Sequence, residues 1–128
     1  MLGAIGSTPV VRLEHLVEPG MAVAIEPAES PVISGGSPGT HRIEGGGAGF
    51  WPPLLEREDF DDVIAVSTED AVAMARRAAR EEGLWSGPST GANLVVALEL
   101  ARRLGSGKRV ATPLVDSGLK YLAGDLYS

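Results

Sequence analysis

The alternation of apolar and polar positions is most regular in the second half of the chain. The run DDVIAV (residues 61–66) is short, apolar and β-branched, which predicts a buried strand. A helix is predicted next, with Ser67 as its N-cap, Asp70 in an acidic variant of the capping box, an end at about Glu82 and Gly83 as its left-handed stop. Its apolar residues share one face at helical spacing: Ala71, Val72, Ala75, Ala78 and Ala79.

A second helix and a last strand are predicted further along the chain. The helix runs from about Gly91 to Leu104 and is ended by Gly105, and KRVATPLV (residues 108–115) forms the strand. Pro113 restricts that strand to a sheet edge or a strand end, because proline cannot donate a ladder hydrogen bond. The alternation of strands and helices predicts an α/β fold with a parallel sheet and right-handed crossovers.

The first half is less regular. TPVVRL (residues 8–13) and MAVAIE (residues 21–26) are predicted strands. The segment 27–58 is crowded with glycine and proline and is predicted to be a loop. A structureless segment of about 30 residues is uncommon in a compact domain and is either a functional loop or disordered.

Composition narrows the class of protein. The chain has 128 residues, which suits one domain, and a net charge of −6 with no basic patch, which argues against binding to nucleic acid or to an anionic membrane. It has no cysteine, which excludes disulfides and thiolate chemistry. The start MLGAIGSTP lacks the basic region of a signal peptide, and no apolar run is long enough to span a bilayer. We therefore expect a soluble, cytoplasmic protein.

The stretch GPSTG (residues 87–91), directly before the second helix, is one candidate site. Ser89 is either a helix N-cap, the commoner role of such a serine, or a contact to a small polar or anionic ligand. A glycine cluster would either let backbone approach a ligand closely or form a flexible turn, and it lacks the context of a nucleotide fingerprint. That cluster comprises Gly45, Gly46, Gly47 and Gly49.

The other candidate residues carry weaker signals. His15 and His41 are far apart, so we predict loop or surface positions and no metal site. Glu26 and Glu29 flank a proline turn, and acid–base work by the pair would need a cleft. The triplet Asp-Ser-Gly (residues 116–118) is a turn signature, but it also follows a predicted parallel strand, where ligands of α/β sheets gather. Structural and functional roles are equally open there.

Four segments resemble, in order and wording, the cysteine synthase (O-acetylserine sulfhydrylase) and cystathionine β-synthase family of fold-type II pyridoxal-phosphate enzymes. They are IGSTPVVRL (5–13), VAIEPAESPVISGGSPGTHRIEGGGAGF (23–50), VSTEDAVAMARRAAREEGLWSGPSTGAN (66–93) and PLVDSGLKYL (113–122). The resemblance implies a partial three-layer parallel sheet, a remnant of the large cofactor domain of the tryptophan synthase β-like fold. It also implies pyridoxal phosphate as cofactor, an amino acid substrate, and β-replacement on O-acetylserine by sulfide to give cysteine.

The resemblance assigns one cofactor-binding residue and no catalytic one. In this family the first serine of a Gly-x-Ser-Ser/Thr-Gly loop hydrogen-bonds the pyridine nitrogen, and that position is Ser89, with Pro88 in place of the commoner isoleucine. The chain's two lysines, Lys108 and Lys120, lie outside the Ser-x-Lys-Asp-Arg context of the lysine that holds the cofactor. The Thr-Ser-Gly-Asn-Thr loop for the substrate and the Gly-Thr-Gly-Gly-Thr loop for the phosphate are also absent.

The order of the motifs predicts an internal truncation near residues 22–24. EHLVEPGMA (14–22) resembles family sequence that follows the first motif, whereas the stretch from Val23 resembles sequence far downstream. We therefore expect residues 1–128 to form one truncated remnant that is inactive alone. Two hypotheses stay open: a truncated enzyme, and a non-catalytic module that pairs with a full-length relative. Because two helices cannot easily cover both faces of the sheet, we also expect self-association.

Overall fold

The structure, a computed structural model, describes residues 20–128. This part contains two parallel strands, two α-helices and two short 3-10 turns. The elements are β1 (Val23–Pro27), a 3-10 turn (Arg57–Asp59), β2 (Asp62–Val66), α1 (Thr68–Glu82), α2 (Pro88–Leu104) and a second 3-10 turn (Gly118–Tyr121). The strand predicted at residues 8–13 and His15 lie outside the described residues. No helix in residues 20–128 is long and apolar enough to cross a membrane.

The sheet confirms two of the predicted strands. β1 and β2 pair in parallel, with Ile25 opposite Ile64, and their bounds differ by one or two residues from those predicted. The connection between them, residues 28–61, contains one 3-10 turn and otherwise no helix or strand. The parallel α/β arrangement expected from the sequence is thus present in residues 20–128 as a two-stranded sheet.

The Glu26 carboxylate, at the end of β1, fixes the start of this long connection. The residue is buried, and its oxygens accept hydrogen bonds from the backbone N–H groups of Ile33 (2.7 Å) and Ser34 (3.2 Å) and from the Ser34 hydroxyl. Three donors compensate the cost of burying a carboxylate and hold the turn against the sheet. Residues 33–34 are therefore held against the end of β1 although they belong to no helix or strand.

Helix α1 has the ends predicted for it. The Ser67 hydroxyl accepts a hydrogen bond from the backbone N–H of Asp70 (3.0 Å) and donates one to the Asp70 carboxylate (2.7 Å). The carboxylate thus bonds the serine hydroxyl, whereas in a standard capping box it would accept from the serine backbone N–H. At the other end Gly83 has φ of 69°, the left-handed conformation expected of a C-terminal glycine.

The core lies where α1 and α2 pack on each other and on the sheet. The two helices approach closely at Gly91, since a Cβ atom there would collide with the backbone carbonyl of Ala71. Small side chains on the facing surfaces permit this distance. The buried cluster that results consists of Ile43, Val66, Ala71, Ala92 and Val96, flanked by partly buried residues of both strands.

The strand predicted over residues 108–115 does not form. Side chains of α2 bind the backbone groups that a strand would use: the Asn93 amide donates to the carbonyl of Pro113 (3.1 Å), and the Thr90 hydroxyl accepts from the N–H of Val115 (3.0 Å). Pro113 itself has no N–H to offer a ladder. The prediction was wrong because these contacts with α2 replace strand pairing.

This C-terminal segment leaves apolar side chains in contact with solvent. Four large ones are each more than half exposed: Leu114, Val115, Leu119 and Leu122. By contrast, Tyr121 and Leu126 are buried against Ala75 of α1 in a second, smaller cluster. The segment is therefore docked on α1 along one side and presents an apolar surface on the other.

Candidate functional site

A cleft of about 190 Å³ opens between β1, the turn after Ile43 and the first turns of α2. Its walls are mainly apolar side chains and glycine backbone, the usual lining of a small-molecule site. The lining residues are Ile25, Glu26, Pro27, Ile43, Gly45, Gly46, Ser89, Ala92, Asn93 and Val115. Four separate segments of the chain thus meet at this cleft.

Ser89 lies in the first turn of α2 and does not cap it. The helix begins at Pro88, three residues before the predicted start, and its N-cap is Gly87, which has no side chain to offer. Proline is favoured at the first helical position because it has no N–H to leave unpaired and its φ is already helical. The N-cap interpretation of Ser89 was therefore wrong, and the Gly-Pro pair before it was the signal for the true helix start.

The Ser89 hydroxyl is the unusual polar group of the cleft. Its oxygen is buried and has no hydrogen-bond partner among residues 20–128. A buried hydroxyl without a partner costs about 1–3 kcal/mol, so such groups call for an explanation. Its neighbour Thr90 already bonds residue 115. Ser89 is therefore a lining residue of the cleft whose hydroxyl keeps a hydrogen-bonding capacity that no group in residues 20–128 satisfies.

Asp116 has a structural role beside the cleft. One carboxylate oxygen accepts the backbone N–H of Gly87 (3.1 Å), and the other accepts the hydroxyl of Tyr121. Burial, with help from the hydrogen bond to Asp116, raises the pKa of Tyr121 to about 12, so the phenol stays protonated as a donor. Lys120 lies 3.6 Å from the same carboxylate and 2.9 Å from the Glu44 carboxylate.

The rest of the Asp-Ser-Gly triplet joins the loop before α2. Ser117 forms an isolated antiparallel bridge with Ser86, and the N–H of Gly118 donates to the carbonyl of Trp85 (2.9 Å). A Cβ atom at Gly118 would collide with the indole of Trp85, so glycine is required there. The turn interpretation of this triplet is the one that these contacts favour.

Glu26 and Glu29 do not form a carboxylate pair. The oxygens of Glu26 bind the turn at residues 33–34, whereas Oε1 of Glu29 accepts the backbone N–H of Thr68 (2.7 Å) at the start of α1. Partial burial, the largest single effect, raises the pKa of Glu29, but hydrogen bonds from the Thr68 backbone and from other donors outweigh it and lower the pKa overall. Each carboxylate therefore fixes a different piece of backbone.

His41 and the glycine cluster shape the turn beside the cleft. Nε2 of His41 lies 2.8 Å from the carbonyl of Gly47, and Nδ1 accepts from the N–H of Ile43 (3.3 Å), which makes Nε2 the protonated nitrogen. Gly47 has φ of 59°, and a Cβ atom there would overlap the ring of Pro27. Gly45 and Gly46 line the cleft. Within residues 20–128 no three His, Asp or Glu side chains are grouped to hold a metal ion.

Neither lysine lines the cleft in the described part of the chain. Lys108 is exposed in the segment after α2. The hydrogen bond to Glu44 raises the pKa of Lys120 above its usual value, and this lysine lies in an ion pair on the surface. No arginine is among the lining residues either.

Comparison with known proteins identifies the class to which this cleft belongs. The family described as "Pyridoxal-phosphate dependent enzyme" matches residues 19–116. A cysteine synthase of Staphylococcus aureus is 49% identical over 106 residues, which are 83% of this chain and 34% of that protein. A probable cysteine synthase of Bacillus subtilis is 47% identical over 104 residues, which are 81% of this chain and 33% of that protein.

Solved structures agree with the sequence comparison. The cysteine synthase of Entamoeba histolytica superposes with a TM-score of 0.79 at 38% identity, covering 82% of this chain and 31% of that one. The O-acetylserine dependent cystathionine β-synthase of Helicobacter pylori gives 0.76 at 39% identity, covering 83% of this chain and 34% of that one. These neighbours have the tryptophan synthase β-like fold.

The chain therefore belongs to the pyridoxal-phosphate dependent enzymes. Within that family its place is the cysteine synthase and cystathionine β-synthase branch of fold type II, as its motifs predicted. It spans about a third of the length of the curated relatives that it matches.

The cleft fits one part of this family's cofactor. Apolar walls and the unpartnered hydroxyl of Ser89 suit a flat ring that carries a nitrogen acceptor. A phosphate and an aldehyde need further groups, namely cationic or backbone donors and a lysine amine. Among the described residues that line the cleft there is neither a lysine nor an arginine. The lining residues therefore fit the ring of the cofactor, and they do not supply a cationic group for its phosphate or a lysine for its aldehyde.

We predict that Ser89→Ala does not lower the free energy of unfolding and raises it by up to about 1 kcal/mol, because it removes a buried hydroxyl without a partner. Ser67→Ala is the matched control: it removes the true N-cap of α1 and should cost about 0.5–2 kcal/mol. Urea denaturation of both variants measures the difference. An equal loss for the two would show that the Ser89 hydroxyl has a partner in the folded chain.

Proposed function

We propose that this chain is a cysteine synthase-like fragment that retains the ring-binding side of a pyridoxal-phosphate site and has no catalytic activity alone. The buried, unpartnered hydroxyl of Ser89 beside the cleft is the observation that carries the proposal. Ser89 would hold the pyridine nitrogen, between walls formed by Ile25, Ile43 and Val115. A cytoplasmic location stays a prediction.

The expected inactivity follows from the missing anchors. Pyridoxal phosphate, when bound, supplies an electron sink for reactions at amino acids, and an enzyme of this class attaches it through a lysine. Lys120 is paired with Glu44 on the surface, Lys108 is exposed beyond the end of α2, and neither lines the cleft. Cysteine formation from O-acetylserine and sulfide is therefore the reaction that we propose for the ancestral enzyme and not for this chain.

We also propose that the chain is a single remnant with an internal deletion near residues 22–24. β1 begins at Val23, where similarity to the downstream part of the family begins in the sequence. A deletion at this point removes the segments that would carry the lysine, the substrate loop and the phosphate loop. Sequencing the gene and its transcript tests this directly. A transcript that joins the two parts without the missing segments supports the deletion, and an additional exon that encodes them contradicts it.

We predict that the purified chain does not attach pyridoxal phosphate covalently at a defined site. The chain is mixed with equimolar cofactor, reduced with borohydride and mapped by mass spectrometry. We expect no stoichiometric adduct on either lysine, because neither Lys108 nor Lys120 lines the cleft that would hold the ring. A single stoichiometric adduct on Lys108 or Lys120, lost in the corresponding Lys→Arg variant, would contradict the proposed inactivity.

A second candidate function is a non-catalytic interaction module that pairs with a full-length relative or with itself. The specific observation in its favour is the apolar surface of the C-terminal segment, where Leu114 is 57% and Leu122 is 64% exposed. Exposed apolar patches of several hundred Å² on soluble proteins mark association sites.

Sedimentation velocity tests this candidate. We expect the wild-type chain to self-associate and the double variant Leu114→Ser/Leu122→Ser to sediment as a smaller species, because both side chains are exposed and their replacement leaves the buried clusters intact. Ala65→Ser, at an exposed position on β2, is a matched surface control. A wild-type chain that is monomeric at all concentrations, with a cooperative thermal transition, would argue against the module.

A further inference from the structure

Asp116 lies at the junction of the segments that form the cleft. It directly follows Val115, a lining residue, and its side chain is only 22% exposed. Its carboxylate accepts one hydrogen bond from the backbone N–H of Gly87, in the loop before α2. It accepts a second from the hydroxyl of Tyr121, in the C-terminal 3-10 turn. Asp116 itself is not among the residues that line the cleft. Any effect that it has on a ligand therefore passes through other residues.

The bond to Gly87 fixes the turn that carries Ser89. Gly87 is the N-cap of α2, so its N–H marks where the first helical turn begins, and Ser89 is two residues further on. The approach is close, because a Cβ atom at Gly87 would collide with the Asp116 carboxylate and the Tyr121 hydroxyl. A carboxylate at this end of the helix is also favoured by the helix dipole.

The ion pairs of Lys120 contribute less to this arrangement. Its ammonium group bridges Asp116 and Glu44, and Glu44 directly precedes the cleft glycines at 45 and 46. Both Lys120 and Glu44 are more than half exposed. Exposed pairs of this kind contribute only about 0–1 kcal/mol, whereas removing the acceptor of a part-buried backbone N–H costs about 1–3 kcal/mol. The hydrogen bond to Gly87 therefore contributes more to the free energy of this arrangement than the ion pairs of Lys120 do.

We infer that Asp116 is a positioning residue for ligand binding in this cleft: through its hydrogen bond to the Gly87 N–H it sets the position of the Ser89 hydroxyl. The inference rests on the proposed function, in which Ser89 binds a pyridine nitrogen. It predicts that the effect of Asp116 on affinity exists only when Ser89 is present.

A double-mutant cycle tests this with pyridoxine as the probe, a ring with neither aldehyde nor phosphate. NMR titration gives its dissociation constant for the wild type, Asp116→Ala, Ser89→Ala and the double variant. We expect Asp116→Ala to weaken binding about tenfold, the equivalent of one lost hydrogen bond, and to cause no further loss in the Ser89→Ala background. Asp116→Asn should stay within about twofold of the wild type, because its amide oxygen still accepts from Gly87.

Lys120→Ala is the matched control, since it removes the charge partner of Asp116 and leaves the Gly87 bond, and it should also stay within about twofold. If Asp116→Ala does not fold, Asp116→Ser replaces it in the cycle, because its shorter side chain does not reach Gly87. Wild-type affinity in the Asp116 variant, or an equal loss with and without Ser89, overturns the inference while the proposed function stands. A wild-type chain that does not bind pyridoxine overturns both.

Discussion

The contact between α1 and α2 at Gly91 sets the distance between the two helices. With no side chain at that position, the backbone of α2 lies directly against the carbonyl of Ala71. This places α2 against both strands, and Ala92 and Val96 complete the buried cluster around Val66. With α2 in this position, its first turn faces β1 across a gap. Gly45 and Gly46 line that gap and have no side chains to fill it, and the gap is the cleft.

Hydrogen bonds from side chains satisfy backbone groups that strand pairing would satisfy in a larger sheet. Thr90 binds the backbone of Val115, Asn93 binds that of Pro113, and Asp116 binds that of Gly87. Glu26 and Glu29 hold the long connection between the strands in the same manner. Backbone groups that lack ladder partners must bond elsewhere, and here polar side chains on well-packed elements supply the bonds. The result is a small fold whose loops have defined positions and whose C-terminal segment keeps an apolar surface.

Local sequence patterns were sufficient for β1, β2 and α1, where apolar spacing, the Ser67 cap and the Gly83 stop all act within a few residues. The strand at residues 108–115 could not be rejected from its pattern, because contacts with α2, distant in the sequence, compete with strand pairing. The Gly-Pro pair indicates a helix start at Pro88. The predicted start at about Gly91 was too late, and the N-cap role of Ser89 that followed from it was wrong.

One residue of the candidate site could be assigned from the sequence, and another could not. The resemblance assigned Ser89 to the pyridine nitrogen, and its unpartnered hydroxyl beside the cleft supports that assignment. The part played by Asp116 had no local signal beyond a turn motif, since its partners are Gly87, 29 positions away, and a tyrosine whose burial depends on α1. Geometry of this kind follows from packing and not from residue spacing.

Nitrogen NMR of ring-labelled pyridoxine measures whether the Ser89 hydroxyl bonds a ring nitrogen. We expect the ring nitrogen resonance to shift when the chain is added, Ser67→Ala to retain the shift, and Ser89→Ala to abolish it. An unchanged resonance, or a shift of the same size with Ser89→Ala, would show that this hydroxyl does not bond the ring.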